Sequence, residues 1–72
     1  MEFRHIIIEE MEPVDEEDHT LFAIRNKHSN LEIGVIIYYE PWKKWVLEPY
    51  EDTIYDESCL EDIVKFMKTI EV

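Results

Sequence analysis

The sequence predicts an α+β fold, an antiparallel meander of three or four strands with one C-terminal helix packed on a face. Up to residue 48, short segments rich in β-branched and aromatic residues alternate with turn residues. Residues 58–70 instead place apolar side chains at helical spacing behind a capping signal. A chain of 72 residues is expected to form a single domain.

The first strand is expected at residues 2–8, which read EFRHIII and are rich in aromatic and β-branched types. An acidic stretch follows at residues 9–18, EEMEPVDEED, with Pro13 inside it. Because its like charges repel and it offers little to pack, residues 9–19 are expected to form an acidic, mobile loop.

The next three strands are expected at residues 20–27, 31–39 and 43–48. The short segment HSN at 28–30 favours a hairpin between the first two. The pair Glu40-Pro41 favours a tight turn with proline at its second position. Pro49 cannot donate to a strand ladder and is expected to end the last strand.

The helix is expected over residues 58–70. Ser58, followed three residues later by Glu61, fits a capping box at its N-terminus. The residues with helical spacing are Leu60, Ile63, Val64, Phe66, Met67 and Ile70.

The third strand is apolar on both faces, which a single helix cannot cover. Strict alternation divides its apolar side chains into Leu31, Ile33, Val35 and Ile37 against Ile36 and Tyr38. The face without the helix is therefore expected to bind a partner or a second copy, or to lie under the acidic loop and the tryptophans. The mid-strand Gly34 indicates close approach of another backbone or of a large ring.

Charge and cysteine content narrow the function classes. The formal net charge is −11, which repels nucleic acid and anionic lipid and attracts basic partners. The single Cys59 cannot form an intrachain disulfide, which suits a cytoplasmic location. No apolar run is long enough for a signal-peptide core or a membrane span, so neither export nor membrane insertion is expected.

A pattern of fixed offsets extends over residues 39–66. It consists of Tyr39, Pro41, Trp42, Trp45, Pro49, Thr53, Cys59, Leu60, Ile63 and Phe66. This pattern resembles that of a family of small proteins encoded by tailed phages and prophages. Tyr38 stands where the family usually has Trp, and Trp45 where it usually has Tyr. The resemblance implies a phage or prophage origin and brings no catalytic residues.

No arrangement of residues points to catalysis, a metal or a cofactor, so the chain is not expected to be an enzyme. Residues 15–19, DEEDH, lack the alternate acids and central glycine of a calcium loop. One cysteine with His5, His19 and His28 gives no zinc-ligand spacing. Cys59 has nearby carboxylates that oppose thiolate formation, and is expected to pack in the core.

Two candidate binding surfaces remain. The tryptophans of EPWKKWVLEP, Trp42 and Trp45, are expected on opposite faces of the sheet. The leading hypothesis is a protein-interaction module whose partner-binding residues are Ile36, Tyr38, Trp42 and Lys44. The alternative is an inhibitor that imitates nucleic acid through an acidic face formed by Glu48, Glu51, Asp52, Asp56 and Glu57.

Overall fold

The computed structural model of the chain describes residues 1–12 and 20–71. Within them lie four strands and one helix: β1 (Ile6–Met11), β2 (Leu21–Asn26), β3 (Glu32–Tyr39), β4 (Lys44–Pro49) and α1 (Glu57–Ile70). All neighbouring strands are antiparallel, and their order in the sheet is β1-β2-β3-β4. The predicted α+β meander with a C-terminal helix is confirmed.

The first strand begins later than the sequence predicted, because the residues before it turn back along its outer edge. The backbone N–H of Ile8 donates to the carbonyl of Met1 at 2.8 Å, and Glu2 forms an isolated bridge with Ile7. Phe3 follows this bridge and packs against the core. The returning segment thus covers part of an edge that would otherwise expose unpaired backbone groups.

The first three residues of the predicted acidic loop are part of a strand. Residues 9–11 belong to β1 and pair with residues 21–23 of β2. The strand ladder and an ion pair between Glu9 and Arg25 hold this part in place despite its charge. Glu12 follows the strand without regular secondary structure, and residues 13–19 of the predicted mobile loop lie outside the described residues.

The two predicted turns connect the strands as expected. In the β2–β3 hairpin the Asn26 side chain accepts from the backbone N–H of His28 at 2.8 Å. In the β3–β4 turn the N–H of Lys43 donates to the carbonyl of Glu40 at 3.0 Å, which places Pro41 at the second position.

The hydrophobic core lies between α1 and one face of the sheet. From the helix, Ile63 and Phe66 are buried. The buried sheet side chains that join them in one cluster are Ile6, Ile8, Ile24, Ile33 and Ile36. Full burial of such a side chain stabilises the fold by roughly 1.5–3 kcal/mol, so this one interface carries most of the packing energy.

The predicted division of Val35 and Ile37 from Ile36 and Tyr38 is observed, but strict alternation placed Ile33 on the wrong face because the ladder contains a bulge. Ile24 pairs with Gly34 but Arg25 pairs with Glu32, which leaves Ile33 as the extra residue. The bulge turns Ile33 into the core, on the same side as Ile36. The helix therefore covers the face of Ile36, which the sequence analysis had assigned to the uncovered side.

The helix cap also differs from the prediction. Asp56, not Ser58, is the N-cap, and its carboxylate accepts from the backbone N–H of Cys59 at 2.8 Å. The helix therefore starts at Glu57, one residue earlier than predicted. Hydrogen bonding from Cys59 lowers the pKa of Asp56 below its ordinary value.

Asp56→Ala is expected to destabilise the protein at neutral pH, and Ser58→Ala to change its stability much less. The cap satisfies a helix N–H that otherwise has no partner. Since the folded-state pKa of Asp56 is lowered, its contribution is present above the ordinary carboxyl pKa and is lost as the pH falls through the lowered value. Urea unfolding of both variants at neutral and acidic pH measures this. If Ser58→Ala lost more stability than Asp56→Ala, the predicted capping box with Ser58 as the N-cap would be supported instead.

Candidate protein-interaction surface

The face of the sheet opposite α1 carries a cluster of apolar side chains. Cross-strand partners share a face, so the pairs Ile37↔Val46 and Tyr39↔Lys44 place these four side chains together. We use the term open face for this surface of β3 and β4. It consists of Val35, Ile37, Tyr39, Lys44, Val46 and Glu48.

The β3–β4 turn positions Trp42 at one end of the open face. Pro41 fixes the start of the turn, and Lys43 adopts a left-handed backbone with φ of 52°. This geometry lays the indole edge-on against the ring of Tyr39, with centroids 5.0 Å apart and planes at 86°. Trp42 nevertheless remains 66% exposed, and Tyr39 39% exposed. A large aromatic surface is therefore presented to solvent in a defined orientation.

The rings border a shallow groove that runs along the β3–β4 hairpin. Its lining includes Ile37, Tyr39, Trp42, Val46, Glu48 and Pro49. The groove is apolar along its floor and has a carboxylate at one end, while Lys44 pairs with Tyr39 at the other. An apolar centre with a charged rim is the general composition of a protein-binding surface.

Two of the four residues predicted to bind a partner lie at the open face. Trp42 and Lys44 lie at the open face, on the side away from the helix, as expected. Ile36 and Tyr38 do not, because Ile36 is fully buried beneath α1 and Tyr38 lies on that same covered face. Tyr38 there packs edge-on against Trp45, with centroids 5.6 Å apart. Both residues therefore leave the set of candidate contacts.

The predicted binding set omits four uncharged members of the open face: Val35, Ile37, Tyr39 and Val46. A signal for them was present in the turn. A four-residue turn over residues 40–43 pairs residue 39 with 44 and hence 37 with 46, as observed. Counting outward from the turn would have placed Ile37 beside Val46 and on the side of Lys44. Counting along β3 from its start instead groups Ile37 with Ile33, which the bulge turns into the core, and so suggests that the helix covers both.

The two tryptophans serve different faces, as the sequence predicted. Trp45 and Leu47 are partly buried and pack against the core. The ring of Trp45 lies 5.6 Å from that of Phe22, which in turn contacts Phe66 of the helix edge-on at 5.0 Å. These ring contacts pack β4 against α1 through Phe22. They lie on the face of β4 opposite the open face.

Gly34 lies on the covered face of β3, opposite Ile24, and allows a ring to approach the strand closely. The hydroxyl of Tyr55 donates to the carbonyl of Ile33 at 2.5 Å. A Cβ on residue 34 would lie 2.3 Å from that hydroxyl oxygen and 3.1 Å from the carbonyl oxygen of Glu48. The predicted close approach at Gly34 is thus confirmed as one by a large ring, and burial raises the pKa of Tyr55.

The acidic residues of the alternative surface are all exposed, but they occupy several parts of the fold. Glu48 lies at the open face, and Asp52 is in the β4–α1 connection with a left-handed backbone, φ 60°. Asp56 caps the helix and Glu57 begins it. A further anion lies nearby in Glu32, whose carboxylate accepts from the Tyr50 hydroxyl at 2.7 Å and raises the pKa of that tyrosine to about 12.

The geometry around Cys59 does not prepare it for nucleophilic chemistry. Its side chain is half-buried and packs against the core, as predicted. Burial, with a smaller contribution from Asp56, raises the pKa of the thiol above its ordinary value. The neutral thiol therefore dominates at physiological pH, whereas a reactive cysteine needs the thiolate.

No family model matches the chain, and no significant match was found among curated proteins or among solved structures. Within residues 1–12 and 20–71, no helix has the length and apolar character needed to cross a bilayer. Across the same residues, no group of three or more histidine, cysteine or acidic side chains is placed to hold a metal ion.

Proposed function

We propose that this chain is a non-enzymatic protein-interaction module whose partner docks on the open face. The observation that carries the proposal is Trp42, held edge-on against Tyr39 beside an apolar groove and still 66% exposed. Exposed aromatic rings beside a cation are the residue types that dominate binding energy at protein interfaces. The pattern over residues 39–66 supports a phage or prophage origin, which would place the partner in the host cytoplasm.

The partner is a protein of net positive charge. A formal charge of −11 draws such a protein toward the chain and opposes the approach of a second copy. The same field repels nucleic acid and anionic membranes, which two neighbouring lysines, Lys43 and Lys44, do not offset. Docking would begin with charge attraction and be completed by burial of Trp42 and its apolar neighbours.

Trp42→Ala is expected to weaken partner binding by about 30-fold or more, since removal of a hot-spot side chain costs about 2 kcal/mol or more. The test is affinity capture from host lysate with the wild-type chain and the variant as baits, followed by binding measurements on the purified partner. Because Trp42 is largely exposed in the free protein, the variant is expected to retain its fold.

The matched control is Leu60→Ala. Leu60 is also apolar and 44% exposed, but it lies on the helix, beside Val64 and away from the sheet. We expect it to bind normally. Equal loss of binding in both variants, or in neither, would contradict docking on the open face. A wild-type chain that is dimeric by light scattering and becomes monomeric with Trp42→Ala would identify a second copy as the occupant.

A second candidate function is an acidic inhibitor that imitates nucleic acid. The observation that favours it is the exposure of Glu51, Asp52, Asp56 and Glu57 within one connection and the first helical turn. Its test is the triple variant Glu51→Gln, Asp52→Asn, Glu57→Gln. This variant keeps Asp56 as the cap, and asparagine tolerates the left-handed backbone at residue 52.

The two candidates give opposite results. The inhibitor requires that the triple variant lose binding to a host nucleic-acid enzyme while Trp42→Ala keeps it, with affinity falling steeply as salt is added. The interaction module requires that Trp42→Ala lose binding while the triple variant retains most of it.

A further inference from the structure

Two histidine rings meet at the opposite end of β3 from Trp42. His5 precedes β1, and His28 lies in the β2–β3 turn. Nδ1 of His5 is 3.2 Å from Nε2 of His28, and the ring centroids are 5.5 Å apart. The difference between these two distances is about twice the distance from an imidazole centroid to its nitrogen. The centroids and the two nitrogens therefore lie nearly on one line, with the nitrogens facing each other.

The backbone fixes this meeting. The N–H of Lys27 donates to the carbonyl of His5 at 2.9 Å, so the residue beside His28 is tied directly to His5. The ammonium of Lys27 also donates to the Glu2 carboxylate at 2.6 Å, which joins the same two segments. On the other side, Asn26 holds the N–H of His28 at 2.8 Å. The separation of the two backbone segments that carry the rings is therefore set by the fold.

The separation fits two ligands of one transition-metal ion. With zinc–nitrogen bonds of about 2.0–2.1 Å, two tetrahedral ligands lie about 3.3 Å apart. Two neighbouring ligands at right angles, as in tetragonal copper or nickel sites, lie about 2.9 Å apart. The observed 3.2 Å falls between these values. The two nitrogens now face each other directly as a hydrogen-bonded pair, so a metal would replace that bond, and each of these exposed rings would turn by roughly 35–45° to aim its lone pair at the ion.

We propose that His5 Nδ1 and His28 Nε2 chelate one divalent ion of the zinc, copper or nickel class. Imidazole nitrogen suits these ions, whereas magnesium and calcium prefer oxygen. The described residues provide no third ligand in a preformed cluster, so the remaining coordination positions are open to water. A metal at this place would clamp the segment before β1 to the β2–β3 turn.

The local charge favours a cation. The Asp56 carboxylate lies within electrostatic range of the His5 ring. The net charge of −11 adds a general attraction for divalent ions.

The test is a calorimetric titration of the protein, free of any affinity tag, with ZnCl₂ and separately with NiCl₂. We expect one ion per chain, and a rise in melting temperature with added metal that chelator reverses. His5→Ala and His28→Ala are each expected to weaken binding by more than about tenfold, a loss that changes around a metal commonly cause. The double variant is expected to bind no more weakly than either single variant, since one histidine cannot chelate.

His19→Ala is the matched control, because it removes the third histidine of the chain, and it is expected to bind as the wild type does. Circular dichroism of each variant checks that the fold is kept. The proposal is overturned if His5→Ala and His28→Ala bind with wild-type affinity, if His19→Ala loses binding equally, or if MgCl₂ competes at equal concentration.

Discussion

Ile36→Ala is expected to lower the free energy of unfolding by about 2–5 kcal/mol, whereas the neighbouring Ile37→Ala costs about 1 kcal/mol. The two residues have the same side chain and adjoin in β3, but Ile36 is completely buried beneath α1 and Ile37 is half-buried on the open face. Truncation of Ile36 removes its packing and leaves a cavity among Ile24, Leu47 and their neighbours.

Chemical unfolding of both variants measures this difference. A chain of 72 residues has modest stability, so Ile36→Ala could prevent folding. In that case Ile36→Val replaces it, with an expected loss of about 0.5–1.5 kcal/mol in the free energy of unfolding. Ile37→Val is its matched control, with a smaller effect. If the substitutions at Ile37 proved the more costly, the helix would cover the opposite face and the assignment of the open face would be wrong.

Gly34→Ala is expected to destabilise the protein by on the order of 1–3 kcal/mol through overpacking. The added methyl group would lie 2.3 Å from the Tyr55 hydroxyl oxygen, so the ring must move. That movement breaks the hydrogen bond from the hydroxyl to the carbonyl of Ile33. The backbone dihedral at Gly34 is not in the left-handed region, so the cost comes from the contact and not from strain in φ.

A double-mutant cycle with Tyr55→Phe isolates that contact. Tyr55→Phe alone is expected to cost about 1 kcal/mol for the lost hydrogen bond. In the background of Tyr55→Phe, Gly34→Ala should cost about 1 kcal/mol less than in the wild type, because the clashing oxygen is gone. The rescue is incomplete, since the Glu48 carbonyl oxygen stays 3.1 Å away. Strict additivity of the two substitutions would show that the ring does not press on Gly34.

The sequence predicted the elements well because each has a local cause. The Glu40-Pro41 turn, the HSN hairpin and the apolar spacing of the helix all act over a few residues, and all were found. The N-cap was predicted wrongly because both Asp56 and Ser58 have side chains that can accept a helix N–H, and the sequence does not show which one does.

The faces of the sheet could not be predicted in the same way. Both faces of β3 are apolar, so composition does not say which one the helix covers. The answer depends on long-range pairing, which places Ile6, Ile8 and Ile24 on the side of Ile36, and on a bulge at Ile33 that interrupts the alternation. Trp42 could be assigned correctly because a turn close in sequence positions it, whereas its neighbour Ile37 depends on the register.

The most direct test of docking on the open face is a methyl NMR titration of the isoleucine- and valine-labelled chain with its captured partner. We expect the methyl signals of Ile37 and Val46 to shift or broaden on binding, while those of the buried Ile36 and Ile63 stay nearly unchanged. Changes confined to Val64 on the exposed side of the helix, with Ile37 and Val46 unaffected, would contradict the account.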